Sequence, residues 1–423
     1  MDNLLRFLID NHPAELLAGT AGIGLTGLLS VLGRRLVRAR PAGRRWAGAI
    51  GWGRRLCIIF CLSSLGDSLL LWLAPQLGAS FPPWPGSTLT LYLLLRLLLL
   101  FGALCAQLLA AWREGRAAGQ GAIPRRDRSG GRRALTLFAL VNLAMSGLII
   151  DAHLVEPLRV ETTEMTLAFE GLAPGERPLR IVHLSDTHLE RYGPREEEVL
   201  RQVQALAPDI IVLTGDHLNT SYMVDPAAAA DWRRFVSQLQ APYGIYAVRG
   251  TVEPNPEMMA ALVEGTGVVW LEQESVQIDV RGEMVTLVGV ACSHDLMRDT
   301  ARLEEALVGV SGTGASRRAP TGGPTVLLYH SPDLILEAAE RGVDLVLSGH
   351  THGGQVRLPV LGAVVTFSSF GRRYAAGLFK ERETRMVVSR GIGLEGGAAP
   401  RVRFLCRPEI VSIDLVGAVD LGL

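Results

Sequence analysis

Apolar residues follow two different rhythms along this chain. Before Glu156 they form long runs, Leu16–Leu32, Leu56–Ala74, Leu89–Trp112 and Ala134–Leu154. Each is close to the roughly 20 residues that cross a bilayer core. After a polar stretch, Glu156–Arg180, the runs become short and alternate with amphipathic segments. Ile181–Leu184, Ile210–Leu213, Gly244–Val248, Val285–Val290, Val326–Tyr329 and Val343–Leu347 read as strands, with Val387–Ser389 and Glu409–Asp414 after them. Arg195–Leu206, Ala227–Leu239, Pro256–Glu264 and Thr300–Leu307 read as helices. The pattern predicts an all-α region of four membrane spans followed by an α/β domain with helices layered on sheet.

Charge sharpens the division. The 423 residues carry 42 basic and 42 acidic side chains. Residues 1–150 hold seventeen arginines, no lysine and six acidic residues, a net charge of +11, so the remainder carries −11. Arg34, Arg35, Arg38, Arg40, Arg44, Arg45, Arg54 and Arg55 lie between the first two runs. Arg113, Arg116, Arg125, Arg126, Arg128, Arg132 and Arg133 lie between the third and fourth, while Pro75–Thr88 has no charge. Positive loops stay in the cytoplasm. The chain is therefore expected to be an integral protein of a bacterial inner membrane, with its N-terminus and α/β domain on the other side. Placement between spans argues against nucleic acid as a partner. Asp67 and Arg96 interrupt two spans at similar depth and are expected to pair, since an unpaired charge there costs about 3 kcal/mol. Of five cysteines, Cys292 and Cys406 could be bonded outside the cytoplasm, and their spacing does not decide it.

The chemistry collects at strand ends, where α/β sheets bind ligands. Asp186 and His188 follow the first predicted strand, and Asp216 and His217 follow the second. His330 follows Val326–Tyr329. His350 and His352 sit in Ser348-Gly349-His350-Thr351-His352-Gly353-Gly354, just past Val343–Leu347. A glycine-flanked loop can turn two imidazoles toward one point, and neutral imidazole is the commonest metal ligand. Asp186, His188, Asp216, His330, His350 and His352 thus form one candidate metal cluster. His183, inside a strand, reads as a packing residue.

Asp-x-His, Gly-Asp, a glycine after the third strand, a lone His, then Gly-His-x-His is an order that resembles the calcineurin-like metallophosphoesterases over Leu179–Leu415. Tyr374–Phe379, Ser389–Gly393 and Arg403–Ile410 look like the C-terminal strands of its bacterial membrane-associated branch. The resemblance implies a layered β-sandwich flanked by helices at 179–423, after a membrane region at 1–155 and a linker at 156–178. It implies two divalent metal ions, with Mn, Fe and Zn as candidates. Asp186, His188 and His352 would hold one and His330 and His350 the other, with Asp216 bridging. It further implies hydrolysis of a phosphodiester, phosphomonoester or pyrophosphate by attack of a metal-bridging hydroxide. A phosphorylated, lipid-linked envelope compound is one candidate substrate. Asp216 and His350 count as catalytic through their ions.

The family's Gly-Asn-His motif reads Gly250-Thr251-Val252 here. Thr251 takes the place of a metal-ligating asparagine. Val252 replaces a histidine that contacts phosphate, and no proton can move through it. His217 and His294 are the candidates to stand in. The alternative expectation is a degenerate relative that binds metal and a phosphorylated ligand without turnover.

Overall fold

The computed structural model of the chain describes residues 43–73, 86–119, 128–173, 177–311, 322–396 and 401–418. They divide into a unit up to Asp151 and a unit that starts at Ala152. The first is built of α1 (Gly43–Leu73), α2 (Gly86–Gly119) and α3 (Arg128–Ile150). The expected second, third and fourth spans fall largely on these helices, and the expected first, 16–32, lies outside the described residues. Tyr92–Ala110 and Gly131–Leu158 are long and apolar enough to cross a membrane.

Leu56, Phe60, Leu93, Leu100 and Phe138 pack together inside this unit. Leu94, Leu98, Phe101, Leu140 and Leu143 are exposed on its outside. Asp67 and Arg96 do pair. Arg96 Nε and Nη2 donate to the two Asp67 oxygens at 2.6 and 2.8 Å. Arg96 also donates to Asn142 Oδ1, the Asn142 carbonyl and Ser146 Oγ.

The second unit begins with β1 (Glu161–Phe169) and β2 (Leu179–Leu184). Then come α4 (Pro194–Leu206), β3 (Ile210–Thr214), α5 (Pro226–Val236), β4 (Ile245–Val248), α6 (Pro256–Val263) and β5 (Val268–Trp270). The chain continues through β6 (Gln273–Val280), β7 (Glu283–Val290), α7 (Leu296–Ser311), β8 (Thr325–Tyr329), α8 (Ile335–Glu340) and β9 (Leu345–Ser348). A small hairpin, β10 (Arg357–Leu358) and β11 (Gly362–Ala363), precedes β12 (Gly377–Glu381), β13 (Thr384–Val388) and β14 (Glu409–Gly417). One sheet runs β1-β14-β2-β3-β4-β5 and the other β12-β13-β9-β8-β7-β6. Both are mixed. In the first, β2 to β5 are parallel while β14 opposes β2; in the second, β7, β8, β9 and β13 are parallel, with antiparallel edges.

Burial on both faces explains why these strands read as unbroken apolar runs. In β3, Ile210 and Val212 join Leu287, Val326, Leu328 and Leu345 in a core shared by both sheets. Ile211 and Leu213 point the other way, onto Val199 and Val203 of α4, Trp232 and Phe235 of α5 and Met259 of α6. The second sheet turns Val288, Leu327 and Val346 onto Leu303 of α7 and Ile335 and Ala338 of α8. The layers are helix, sheet, sheet, helix, an α/β fold.

One expectation fails, and one question that the sequence leaves open is answered. The stretch 156–178 is not a plain linker, because β1 pairs in parallel with β14 from Glu161–Glu409 to Phe169–Gly417. It escaped notice because its first six residues are only partly buried or exposed, and the strand lies at a sheet edge. Cys292 and Cys406 are not bonded to each other. Cys292 Sγ meets the Tyr329 hydroxyl at 3.4 Å, and Cys406 Sγ meets the His352 carbonyl at 3.2 Å.

Candidate metal centre

Parallel strands of both sheets end at one place. β2, β3 and β4 deliver Asp186, His188, Asp216 and Thr251; β8 and β9 deliver His330, His350 and His352. Immediately past these ends the backbone turns left-handed. Asp186, His188, Asp216, His350 and His352 have φ of 48°, 36°, 49°, 67° and 49°. Non-glycine residues in that region are held at a cost of about 1–3 kcal/mol each, and such strain gathers at functional sites. Gly349 shows why the loop is glycine-rich: a Cβ there would collide with Ser185 Oγ and Asp186 Oδ2. The space it leaves lets His350 N–H donate to both Asp186 oxygens, at 2.9 and 3.0 Å, and this ties the two sheets together.

The six expected Asp and His side chains are all buried and form two groups. In the first, His188 Nε2 and His352 Nε2 are 3.0 Å apart. His352 Nε2 lies 3.5 Å from Asp186 Oδ1, and His188 Nε2 lies 3.6 Å from Asp216 Oδ2. In the second, His330 Nε2 is 3.1 Å from Asp216 Oδ2 and 3.2 Å from His350 Nδ1. Asp216 thus faces both. Thr251 Oγ1 lies 3.3 Å from each Asp216 oxygen, and the amides of Thr251 and Val252 donate to Oδ1 at 2.6 and 2.9 Å.

These spacings fit a cation. Ligands about 2.1 Å from one ion lie about 3.0–3.4 Å apart when adjacent. Two imidazole nitrogens face each other beside two carboxylates, and a cation there could take a lone pair from each of the four. The outer side of the second group is prepared as well. His330 Nδ1 donates to the Thr214 carbonyl at 2.8 Å, which orients the ring with Nε2 inward. His350 Nε2, His188 Nδ1 and His352 Nδ1 are buried without a hydrogen-bond partner.

The electrostatics are those of buried carboxylates and imidazoles crowded together. Burial pushes the Asp186 carboxyl up to about 6, against the pull of His330 and His188. Burial would raise Asp216 too, but His330 and its neighbours outweigh it and hold that carboxyl well below the usual range. Asp216 in turn overrides burial at His330 and lifts it well above an ordinary imidazole. Burial and then His330 depress His350 to about 4; burial and then His188 hold His352 well below the normal value. Metal binding replaces such protons with a cation.

A histidine-rich cluster on this fold matches known proteins. Residues 179–354 fit the model of the calcineurin-like phosphoesterases. The metallophosphoesterase YkuE of Bacillus subtilis is 30% identical over 272 residues, which covers 62% of this chain and 88% of that protein. The chain belongs to the calcineurin-like phosphoesterase family. A bovine transmembrane protein with a metallophosphoesterase domain is 31% identical, covering 73% of this chain and 68% of its own. The UDP-2,3-diacylglucosamine pyrophosphatase LpxG of Chlamydia muridarum is 26% identical, covering 62% and 91%.

The departure from this phosphoesterase family at Gly250-Thr251-Val252 has a local form. Val252 is buried with only its amide on Asp216, and Glu253 accepts from the amides of His217 and Gly250 at 2.7 and 3.0 Å. Of the two candidate substitutes, His217 is packed against Trp232, with ring centroids 5.1 Å apart, and its Nε2 meets the Val248 carbonyl at 3.1 Å. That ring is occupied in the interior rather than presented to the site. His294 is exposed, with its ring 5.2 Å from that of His350. It lines a cleft of about 430 Å³ with Thr251, Arg249, Arg298 and Arg302. His183 is a packing residue, bonded to Thr214 Oγ1 at 2.7 Å.

One acidic group was not anticipated. Glu395, past β13, brings Oε2 to 3.7 Å from His352 Nε2 and 3.9 Å from His188 Nε2. No motif spacing marks it; the glycines at 393, 396 and 397 are the nearest thing to a signal.

Proposed function

We propose that this chain is a membrane-anchored phosphoesterase that uses two divalent cations to hydrolyse a phosphodiester or pyrophosphate, with a lipid-linked substrate. The observation that carries the reading is the pair of buried ligand groups that share Asp216. Asp186, His188, His352 and Asp216 would hold one ion, and Asp216, His330, His350 and Thr251 the other. Such ions supply Lewis acidity toward phosphoryl oxygens and lower the pKa of a water.

The chain's own residues do the rest. The amides of Thr251 and Val252 and the His330–Thr214 bond hold the ligands in register. Arg298, in the lining of the cleft, would draw in an anionic substrate, while Arg249 is paired with Glu272 and Arg302 with Asp299. His294, its ring 5.2 Å from that of His350, is the candidate to pass a proton to the departing oxygen, the work that Val252 cannot do. General acid assistance of this kind contributes about 10²- to 10⁴-fold.

Two features favour a lipid-linked substrate and an anchored enzyme. The segment that follows the metal loop exposes Leu358, Val360, Leu361, Val364, Val365 and Phe367, with Arg372 and Arg373 just beyond. Apolar side chains beside arginines suit the boundary of an anionic membrane. The helical unit exposes leucines all along two membrane-length stretches. LpxG, whose name gives an acylated sugar nucleotide as its substrate, offers a model for the class. By the positive-inside rule, the arginine distribution favours a catalytic unit on the non-cytoplasmic side.

The test uses the full chain in detergent with bis(4-nitrophenyl) phosphate and Mn²⁺, Zn²⁺ or Fe²⁺. Turnover that is abolished by chelator and by Asp216→Asn supports the reading; turnover indifferent to both overturns it. Thr251 and Val252 favour a second reading, a metal-holding receptor for a phosphorylated ligand. Two bound ions without turnover would establish that instead.

A further inference from the structure

The two halves of the centre differ in more than Thr251. We infer that Glu395 is an additional ligand of the ion held by Asp186, His188 and His352, so that this ion binds far more tightly than its neighbour. The inference rests on the two-cation reading above.

Glu395 reaches the site through a loop whose position is determined along its length. Arg403 is fully buried and donates to the carbonyls of Gly391, Gly393 and Cys406. Gly393 passes so close to β2's ligand loop that a Cβ there would lie 2.6 Å from His188 Cβ. Gln355, one turn past His352, accepts from the Glu395 amide at 2.6 Å. The Glu395 carboxylate is then split between two tasks. Oε1 accepts from the Gly396 amide at 2.7 Å, and Oε2 faces the two imidazoles. The ligand atoms of His188, Asp216 and Glu395 all lie within 4.8 Å of one another. Among the described residues, the ion-pair partners found for Glu395 are His188 and His352, and no lysine or arginine neutralises it. The carboxylate therefore faces the same two Nε2 atoms that lie against each other and against Asp216 and Asp186.

The resulting donor sets are unequal. One site gathers Asp186, Asp216 and Glu395 with two imidazoles. The other has Asp216, two imidazoles and a hydroxyl. Affinity for hard divalent cations rises with the count of charged oxygen ligands.

Mn²⁺ titration of the full-length, chelator-stripped protein in detergent, read from the electron paramagnetic resonance of free Mn²⁺, tests this. The wild type is expected to bind two ions of clearly different affinity. Glu395→Gln, which keeps the amide-accepting oxygen, is expected to weaken the tighter ion tenfold or more and leave the weaker one within threefold. Glu395→Asp keeps the charge but shortens the reach, and it is expected to lose affinity too. A Glu395→Gln change below tenfold, or wild-type affinity in Glu395→Asp, overturns the inference. Asp186→Asn separates the failures. If it removes the tight ion while Glu395→Gln does not, only the extra ligand is wrong; if the wild type itself binds fewer than two ions, the two-cation reading falls as well. Matching thermal melts in excess chelator check that the Glu395 variants are folded.

Discussion

Among the described residues, one buried polar cluster in each unit invites comparison, around Arg96 and around Asp216, and the two are finished in opposite ways. Around Arg96, all five guanidinium N–H groups find acceptors on Asp67, Asn142 and Ser146. Asn142 Nδ2 donates onward to the Phe138 carbonyl at 2.9 Å. Positive and negative charges balance within the cluster. Around Asp216, three carboxylates and four imidazoles converge, ring nitrogens stay unpartnered, and the backbone is left-handed at five ligand positions. A closed cluster holds helices together. The other draws Asp and His side chains together on left-handed backbone and leaves ring nitrogens at its outer side without partners. Burial and charge alone do not tell these apart; the completeness of the hydrogen bonding does.

The difference can be broken at several points. The largest effect is expected from Asp216→Asn, which removes the carboxylate that faces both ligand groups. Phosphodiester turnover should fall by about 10³-fold or more, and this loss of activity should dominate, although the metal-free protein also loses the attraction between Asp216 and His330. The closed cluster should behave in reverse. Arg96→Leu strands the Asp67 charge and should cost about 3–5 kcal/mol in denaturation assays in detergent, whereas Asp67→Leu with Arg96→Leu should recover most of that loss. If the double variant is no better than the single, the pair is not the unit of stability. Thr251→Asn should tighten the weaker ion about tenfold in the Mn²⁺ titration and leave the tighter one unchanged.

The smallest effect concerns Asp186. Its folded-state carboxyl lies near 6, above its unfolded value, so its charge destabilises the metal-free protein above pH 6. That penalty fades as pH falls from 6 toward 3.8. Asp186→Asn should therefore raise the metal-free melting temperature by a few degrees at pH 7.5 and by less at pH 5. An equal shift at both pH values would contradict this.

Much of the design is visible in the chain because it is periodic or local. Strands such as Ile210–Thr214 are apolar on both faces, so they stand out against their amphipathic neighbours. Asp186, His188, Asp216, His350 and His352 sit next to strand ends and glycines. Asp67 and Arg96 are conspicuous because charge is rare in apolar runs. What was hidden depends on distant partners. β1, Glu161-Thr162-Thr163-Glu164-Met165-Thr166-Leu167-Ala168-Phe169, is polar at an exposed edge and becomes a strand through β14. Glu395 belongs to the site only because Arg403 and Gln355 hold its loop there. His217 has the right neighbour in sequence, yet its ring turns inward onto Trp232, which no spacing rule foretells.

The place of β14 in the first sheet has a consequence for biosynthesis. It lies between β1 and β2, and its Asp414 is clamped by Arg180, 234 positions earlier. While the ribosome is still working toward Glu409, the two earliest strands of the sheet have no neighbour to join them. Their edges stay open to wrong pairings through most of translation. A premature stop before Glu409 would remove an interior strand rather than trim an edge, and the nascent catalytic unit would have a gap where the sheet should close.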